Sequence, residues 1–200
     1  MIHTNLEEQL SYLLLAVLVM LLFYGIYFGK MLAQRRRGIR TNQIGRRREK
    51  TLHTVEMLMK TATYGIVPVQ LVSMIGDWSF LPANARFTGF LLGLLGDGVF
   101  LAAVLCMKDS WRAGIPEKDR TAMVTNGIYA FSRNPAFLGF DLMYFGVFLM
   151  YCNPLTGVFT AFAVMMLHLQ ILQEETYLTA TFGAPYQDYR KKVSRYLGRK

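Results

Sequence analysis

The chain has 200 residues, 53% of them hydrophobic, with a formal net charge of +9 and a mean hydropathy of +0.27. That length bounds a single unit, and its uncharged runs are too long for the core of a water-soluble domain, so an integral membrane protein is expected. Membrane topology accounts for where the positive charge falls, which removes nucleic-acid binding as a reading of it.

Gln9 to Gly29 carries no formal charge and is long enough to cross a hydrocarbon layer of roughly 30 Å as a helix. Glu7 and Glu8 precede it in place of a basic region and arginines follow it, so it reads as a retained anchor and not as a cleaved signal. A shorter uncharged run, Thr61 to Gly76, can be extended at its start by the turn carrying Glu56 and Lys60 at i,i+4 spacing. Phe87 to Met107 is a third span, interrupted only by Asp97. Its glycines follow no strand, so a nucleotide-binding loop fails on context, and Gly89 with Gly93 reads instead as a small-residue ridge for helix packing. From Asn134 to Gln173 the only formal charge is Asp141, and Cys152-Asn153-Pro154 near the middle suits a tight turn between two helices. The predicted fold is all-α: a polytopic membrane protein of about five transmembrane helices, ending in a helical hairpin and an interfacial helix.

Every basic residue except Arg86 falls in one of three segments. The first, Lys30 to Lys60, includes Arg35, Arg36, Arg37, Arg40, Arg46, Arg47, Arg48 and Lys50; the second runs from Lys108 to Arg133 and the third from Arg190 to Lys200. Five spans put all three segments on one side, which the positive-inside tendency makes the cytoplasm, with the amino terminus outside. From Pro185, the residues Tyr186, Tyr189, Val193 and Tyr196 lie on one side of a helix opposite basic residues, a pattern for a helix resting on an anionic leaflet. His3, His53 and His168 have no metal-like spacing, and Cys106 and Cys152 lie at opposite ends of spans, so neither a metal site nor a disulfide is expected. Asp97 and Asp141 are candidates for function because a carboxyl group inside a span must have its desolvation compensated.

The segments at the ends of the hairpin carry an ordered set of polar residues: Gly127, Tyr129, Arg133, Asn134, Pro135, Phe137 and Gly139, then Glu174, Glu175 and Leu178, then Phe182, Gly183 and Tyr186. This set resembles the isoprenylcysteine carboxyl methyltransferase family, in which G-x-Y-x-x-x-R-H-P-x-Y-x-G precedes two membrane helices, E-E-x-x-L and F-G-x-x-Y. The resemblance covers roughly Trp111 to Tyr196. Asn134 stands where the family has histidine and Phe137 where it has tyrosine. Gly96-Asp97-Gly98 is also similar to a G-x-G of the related phospholipid methyltransferases. By this resemblance, residues 1–107 hold the N-terminal membrane helices and basic loop, and 108–200 form the catalytic region.

The resemblance implies S-adenosylmethionine as cofactor and a lipophilic methyl acceptor drawn from membrane lipid. Methyl transfer needs an aligned acceptor, a pocket for adenosine and charge complementary to the amino-acid end of the donor. Arg133 can fork onto a carboxylate, Glu174 or Glu175 can accept from ribose hydroxyls or an ammonium, and Tyr129, Phe137 and Tyr186 offer aromatic faces. By similarity, Met123 and Val124 add backbone contacts, and Gly127, Asn134 and Pro135 complete the cofactor-binding set. Arg133 and Glu175 are the expected catalytic residues, and Asp97 and Gln170 the substrate-binding ones; Gln170 falls where eukaryotic relatives carry an arginine that contacts substrate. A carboxylate acceptor needs no strong base, whereas an amine would need Glu175 or Asp97 to remove a proton. Other readings are a phospholipid or small-molecule N- or S-methyltransferase, an NADPH-dependent enzyme like the membrane sterol reductases, and a non-enzymatic membrane scaffold.

Overall fold

Six α-helices make up the computed structural model, which describes residues 5–44, 50–115 and 122–199. The basic residues Arg46, Arg47, Arg48, Lys118, Arg120 and Lys200, and His3, lie outside the described residues. Helix α1 (Leu6–Arg36) begins where the Asn5 side chain accepts from the Glu8 amide at 2.8 Å. Glu7 and Glu8 in its first turn and Arg35 and Arg36 in its last complement the helix dipole. Helices α2 (Lys50–Ile75), α3 (Ala83–Met107), α4 (Pro135–Met150), α5 (Pro154–Phe182) and α6 (Ala184–Lys192) follow, with 3-10 turns at Lys108–Ser110 and Gly127–Ala130.

Helices α1, α2, α3 and α5 are long and apolar enough to span a membrane. The fifth expected span, α4, is shorter: its 16 residues rise about 24 Å, less than the roughly 30 Å hydrocarbon layer. Two expected boundaries also change. Helix α5 runs on to Phe182, where Gly183 at φ 60 caps it, so Glu174 and Glu175 lie inside a helix and not at its carboxyl end. Helix α6 stops at Lys192, and Val193 to Arg199 form a tight antiparallel turn, so Tyr196 is not carried on the helical face that its spacing suggested.

The bundle is built from two main helix pairs, α3 on α4 and α2 on α5, with α1 along α3. The α3–α4 pair has almost no side chains between its backbones. A Cβ added at Gly89 would stand 2.5 Å from the Gly146 carbonyl, and one at Gly96 2.8 Å from the Gly139 carbonyl. The Gly89–Gly93 ridge therefore packs helix on helix, joined by Gly96. Gly96 is consumed by this contact, and Gly98 has open space beside it, so Gly96-Asp97-Gly98 forms no ligand loop.

This pairing fixes how deep α4 begins. With Gly89 opposite Gly146 and Gly96 opposite Gly139, Pro135 at the start of α4 lies level with about residue 100 of α3, which continues for nearly two more turns to Met107. Asn134, on the other side, bonds Glu175 while α5 also continues for about two turns beyond. The short helix thus leaves a recess between the ends of α3 and α5. The loop before α4 covers one part of it, with Gly127 against Cys106, and the tail covers another, with the Arg133 amide donating to the Ser194 carbonyl at 3.1 Å. The N-terminal helices are strapped to the same end: Gln34 of α1 donates to the Trp111 carbonyl at 3.0 Å, and the Gln43 amide donates to that of Ala113 at 2.8 Å.

At the opposite end, the single outlying basic residue has a packing role. Arg86 is 1% exposed, pairs with Asp77, and lies between the rings of Tyr12 and Tyr151 at 4.2 and 4.9 Å. Asn153 caps α5 and donates to Ser73 and to the Trp78 carbonyl, both at 3.1 Å, which closes the same knot. Arg86→Leu removes one partner of a buried ion pair and both cation–π contacts, and should cost roughly 3–5 kcal/mol of stability. Arg86→Lys keeps the charge without the planar stack and should recover less than half of the loss; thermal unfolding in detergent measures both.

Candidate functional site

Two cavities meet in the recess. The first has a mixed lining from the loop, α4, α5 and α6, including Met123, Val124, Tyr129, Arg133, Glu174 and Tyr186, and holds about 870 Å³ counting its open mouth. The second, of about 820 Å³, is mainly aromatic and runs down between α1, α2, α4 and α5, past Tyr24, Tyr27, Tyr64, Phe140 and Tyr144. Trp111, Arg112, Phe137 and Glu174 line both, so they form the partition. Among the described residues, Glu174 is the only acidic one lining either cavity, and its carboxylate accepts one hydrogen bond, from Gln170 Nε2 at 3.3 Å.

Adjacent in sequence, Glu174 and Glu175 do different things because successive helical residues point about 100° apart. Glu175 is 4% exposed and turned away from both cavities. Its carboxylate accepts from Arg195 Nη2 at 3.0 Å and Nε at 3.2 Å and from Asn134 Nδ2 at 3.3 Å, and forms an ion pair with Arg133 Nη2 at 2.9 Å. The carboxylate is tied to two guanidinium groups and an amide and faces neither cavity, so Glu175 is not placed for base chemistry on a ligand there and acts as a clamp that fixes Arg133, the start of α4 and the tail. The bond from Glu175 holds the Arg195 guanidinium above its ordinary range. Asn134 also donates to the Arg195 carbonyl at 3.1 Å, so the residue in the family's histidine position is part of this clamp.

The aromatic wall belongs to the tail and the turn before α4. Tyr189 Oη donates to the Tyr129 carbonyl at 2.6 Å, locking α6 over the loop, and Tyr186 is 2% exposed. Burial pushes the Tyr186 phenol up from 10.0 to about 12 and raises those of Tyr129 and Tyr189 as well. A phenol whose folded pKa is raised contributes stability that is complete below the unfolded value and is lost as pH climbs through the folded one. The unfolding temperature should therefore hold to about pH 10 and fall between about 10 and 12, and Tyr186→Phe should flatten that fall.

Of the residues singled out from sequence, the structure brings Met123, Val124, Tyr129, Arg133, Asn134, Phe137, Glu174 and Tyr186 around the mixed cavity and puts Gln170 in the apolar one. Gly127, Pro135 and Glu175 stand behind the wall, and Asp97 lines neither cavity. Asp97 is 5% exposed on α3, with neither carboxylate oxygen hydrogen-bonded among the described residues. Sequence reasoning missed Trp111 and Arg112 in the partition, Tyr177, Phe182 and Tyr189 in the mixed cavity, and Lys60 with the tyrosines of α1 and α2 in the apolar one. Tyr177 was within reach: it is one turn from Glu174 on a helix that the Gly183 stop would have extended.

Fold and site together define a helical membrane protein with a cleft of mixed lining and a lipophilic cavity joined at one end of its bundle. A profile of the phospholipid methyltransferase family matches residues 85–185. A protein-S-isoprenylcysteine O-methyltransferase B of Arabidopsis thaliana is 34% identical over 168 residues, 70% of this chain and 84% of the relative. Protein-S-isoprenylcysteine O-methyltransferase of mouse is 31% identical over 109 residues, 53% of this chain and 38% of its own length, and a probable rice enzyme of the same name is 30% identical over 110 residues, 54% and 58%. The chain belongs to the phospholipid methyltransferase family and, within it, to the isoprenylcysteine carboxyl methyltransferases. It matches less than two thirds of the length of the mouse and rice relatives. This membership favours a methyltransferase over the reductase and scaffold readings.

Proposed function

We propose that this chain transfers the methyl group of S-adenosylmethionine to a carboxylate on a lipophilic, isoprenylcysteine-like acceptor at the membrane surface. The observation that carries the proposal is the partition: a mixed, aromatic-walled cleft and an apolar cavity share Glu174, Phe137, Trp111 and Arg112. The cleft suits the donor, offering one carboxylate for ribose hydroxyls or ammonium and aromatic faces from Tyr129, Phe137 and Tyr186 for adenine. When bound, S-adenosylmethionine supplies an electrophilic methyl on a sulfonium, which a carboxylate oxygen takes in one in-line displacement that leaves a thioether and an ester. Glu174 would bind and orient the donor; Phe137 and Trp111 would exclude water between the cavities.

The apolar cavity suits a prenyl-like chain, and Lys60 and Arg112 in its lining favour an anionic head over a cationic amine. An acceptor already ionised needs no base, which agrees with a Glu175 that is ion-paired and faces neither cavity. The basic side chains at this end, with Arg86 alone at the other, support placing the site at the cytoplasmic face and the amino terminus outside. The test is methyl transfer from labelled S-adenosylmethionine by the protein in lipid nanodiscs, with a prenylated cysteine and with phosphatidylethanolamine. Label released as methanol by mild base is expected from the prenylated cysteine alone; base-stable label in the phospholipid would replace this reading with amine methylation.

A further inference from the structure

Beside Glu175 lies a basic crater lined by Arg133, which also lines the mixed cavity, and by Gln187, Arg190, Lys191 and Arg195. Among the described residues, its four cations have little to neutralise them. Arg133 and Arg195 share the one carboxylate of Glu175, and Lys191 pairs at 2.8 Å with Asp188, which is not in the lining. Arg190 makes only a 3.5 Å contact with Thr179 Oγ1, at the limit of a hydrogen bond. The Arg133 side chain is 5% exposed, and its Nε is buried with no hydrogen-bond partner among the described residues. Cations gathered on one wall repel one another, and a multivalent oxyanion relieves that repulsion. Guanidinium forks match the oxygens of a phosphate in particular.

The surroundings select the source of the phosphate. Phe131 and Leu197, each two residues from a crater arginine, are 55% and 72% exposed, and the Gly198 amide donates to the Phe131 carbonyl at 2.8 Å, which holds the two segments together. Apolar side chains beside a cationic crater, at the end of a membrane bundle, present the arrangement of an acyl chain next to its headgroup. We propose that the crater binds the phosphate of an anionic phospholipid. Such a headgroup ties α6 and the tail to Arg133, next to Asn134 on the floor of the cleft, so the lipid steadies the wall of the site without entering it. The inference is independent of methyl transfer.

The full chain in detergent, titrated with phosphatidylglycerol, phosphatidylcholine or inorganic phosphate and followed by native mass spectrometry and thermal shift, tests this. One phosphatidylglycerol should be retained about tenfold more tightly than phosphatidylcholine. Arg190→Gln with Lys191→Gln should abolish that preference, and Gln187→Glu, an exposed position, should do the same by placing a carboxylate in the crater. Stabilisation by inorganic phosphate that these variants lose, without preference between lipids, keeps the site and makes free phosphate its ligand. Equal retention of both lipids with no effect of phosphate, or an undiminished preference in Gln187→Glu, overturns the proposal.

Discussion

Glu174→Ala should lower affinity for S-adenosylhomocysteine by about 100-fold, which corresponds to roughly 2.7 kcal/mol, while leaving the unfolding temperature nearly unchanged. Both halves follow from where the carboxylate stands. Among the described residues it is the only acidic group lining either cavity, in the partition between them, and its one hydrogen bond is a 3.3 Å contact from Gln170. Loss of a hydrogen bond to a charged group in a recessed cleft costs about 1.5–3 kcal/mol, and the remaining ionic groups of the lining, Arg112 and Arg133 among them, are cationic and cannot substitute. Glu174→Gln separates charge from hydrogen bonding, since it keeps an acceptor oxygen; it should recover part of the loss for the product and less for the positively charged donor. Calorimetry with both ligands reads the difference. An Ala variant that binds within about threefold of the parent would remove Glu174 from the cofactor site.

Glu175→Ala is the useful contrast, because the two residues are a single motif in sequence and two functions in space. A doublet of glutamates within an ordered family pattern gives no means of telling which faces the ligand; that depends on the rotation of α5, which α2 and α4 set from either side. Charge also hid the end of that helix. The span was defined by its uncharged run and was closed at Gln173, whereas helical hydrogen bonding continues to Gly183 regardless of whether residues are in lipid or out of it. The apolar runs of α1, α2 and α3 and the Asn153-Pro154 turn were legible, because hydrophobic length and turn chemistry are local properties. The walls of the apolar cavity were not. Tyr24, Tyr27 and Tyr64 occur in spans where many aromatic residues face lipid, and only the three-dimensional gap between α1 and α2 distinguishes them. Asp97 shows the reverse error: its burial inside a span was legible, but burial alone does not place a group at a cavity.

Gly146→Leu should abolish folding, with no monodisperse protein recovered in detergent, while Gly98→Leu should behave as the parent in size-exclusion profile and unfolding temperature. A Cβ at Gly146 would lie 2.5 Å from the Gly93 amide nitrogen and 2.6 Å from the Gly89 carbonyl oxygen. Both are backbone atoms of α3 and cannot rotate away, so the helices must separate along their whole contact. In a membrane no hydrophobic gain compensates for that separation, since lipid is as apolar as the helix face and close backbone packing supplies the attraction. At Gly98, on the same α3, nothing lies within 4 Å of an added Cβ. The comparison therefore holds the substitution and its helix propensity constant and sets a glycine inside the interface against one outside it. Gly146→Ala tests the same contact at lower dose and should already cost more than the 1–3 kcal/mol typical of an overpacked core, because the neighbours are main chain. The consequence extends to the site. The Gly139 and Gly146 contacts set the register of the short α4 on α3, and that register lowers Asn134 and Phe137 to the floor of the recess. A variant that survived by shifting α4 by one turn, about 5.4 Å, would carry Asn134 away from Glu175. It would then lose ligand binding through the loss of depth, with every residue of the cleft still present.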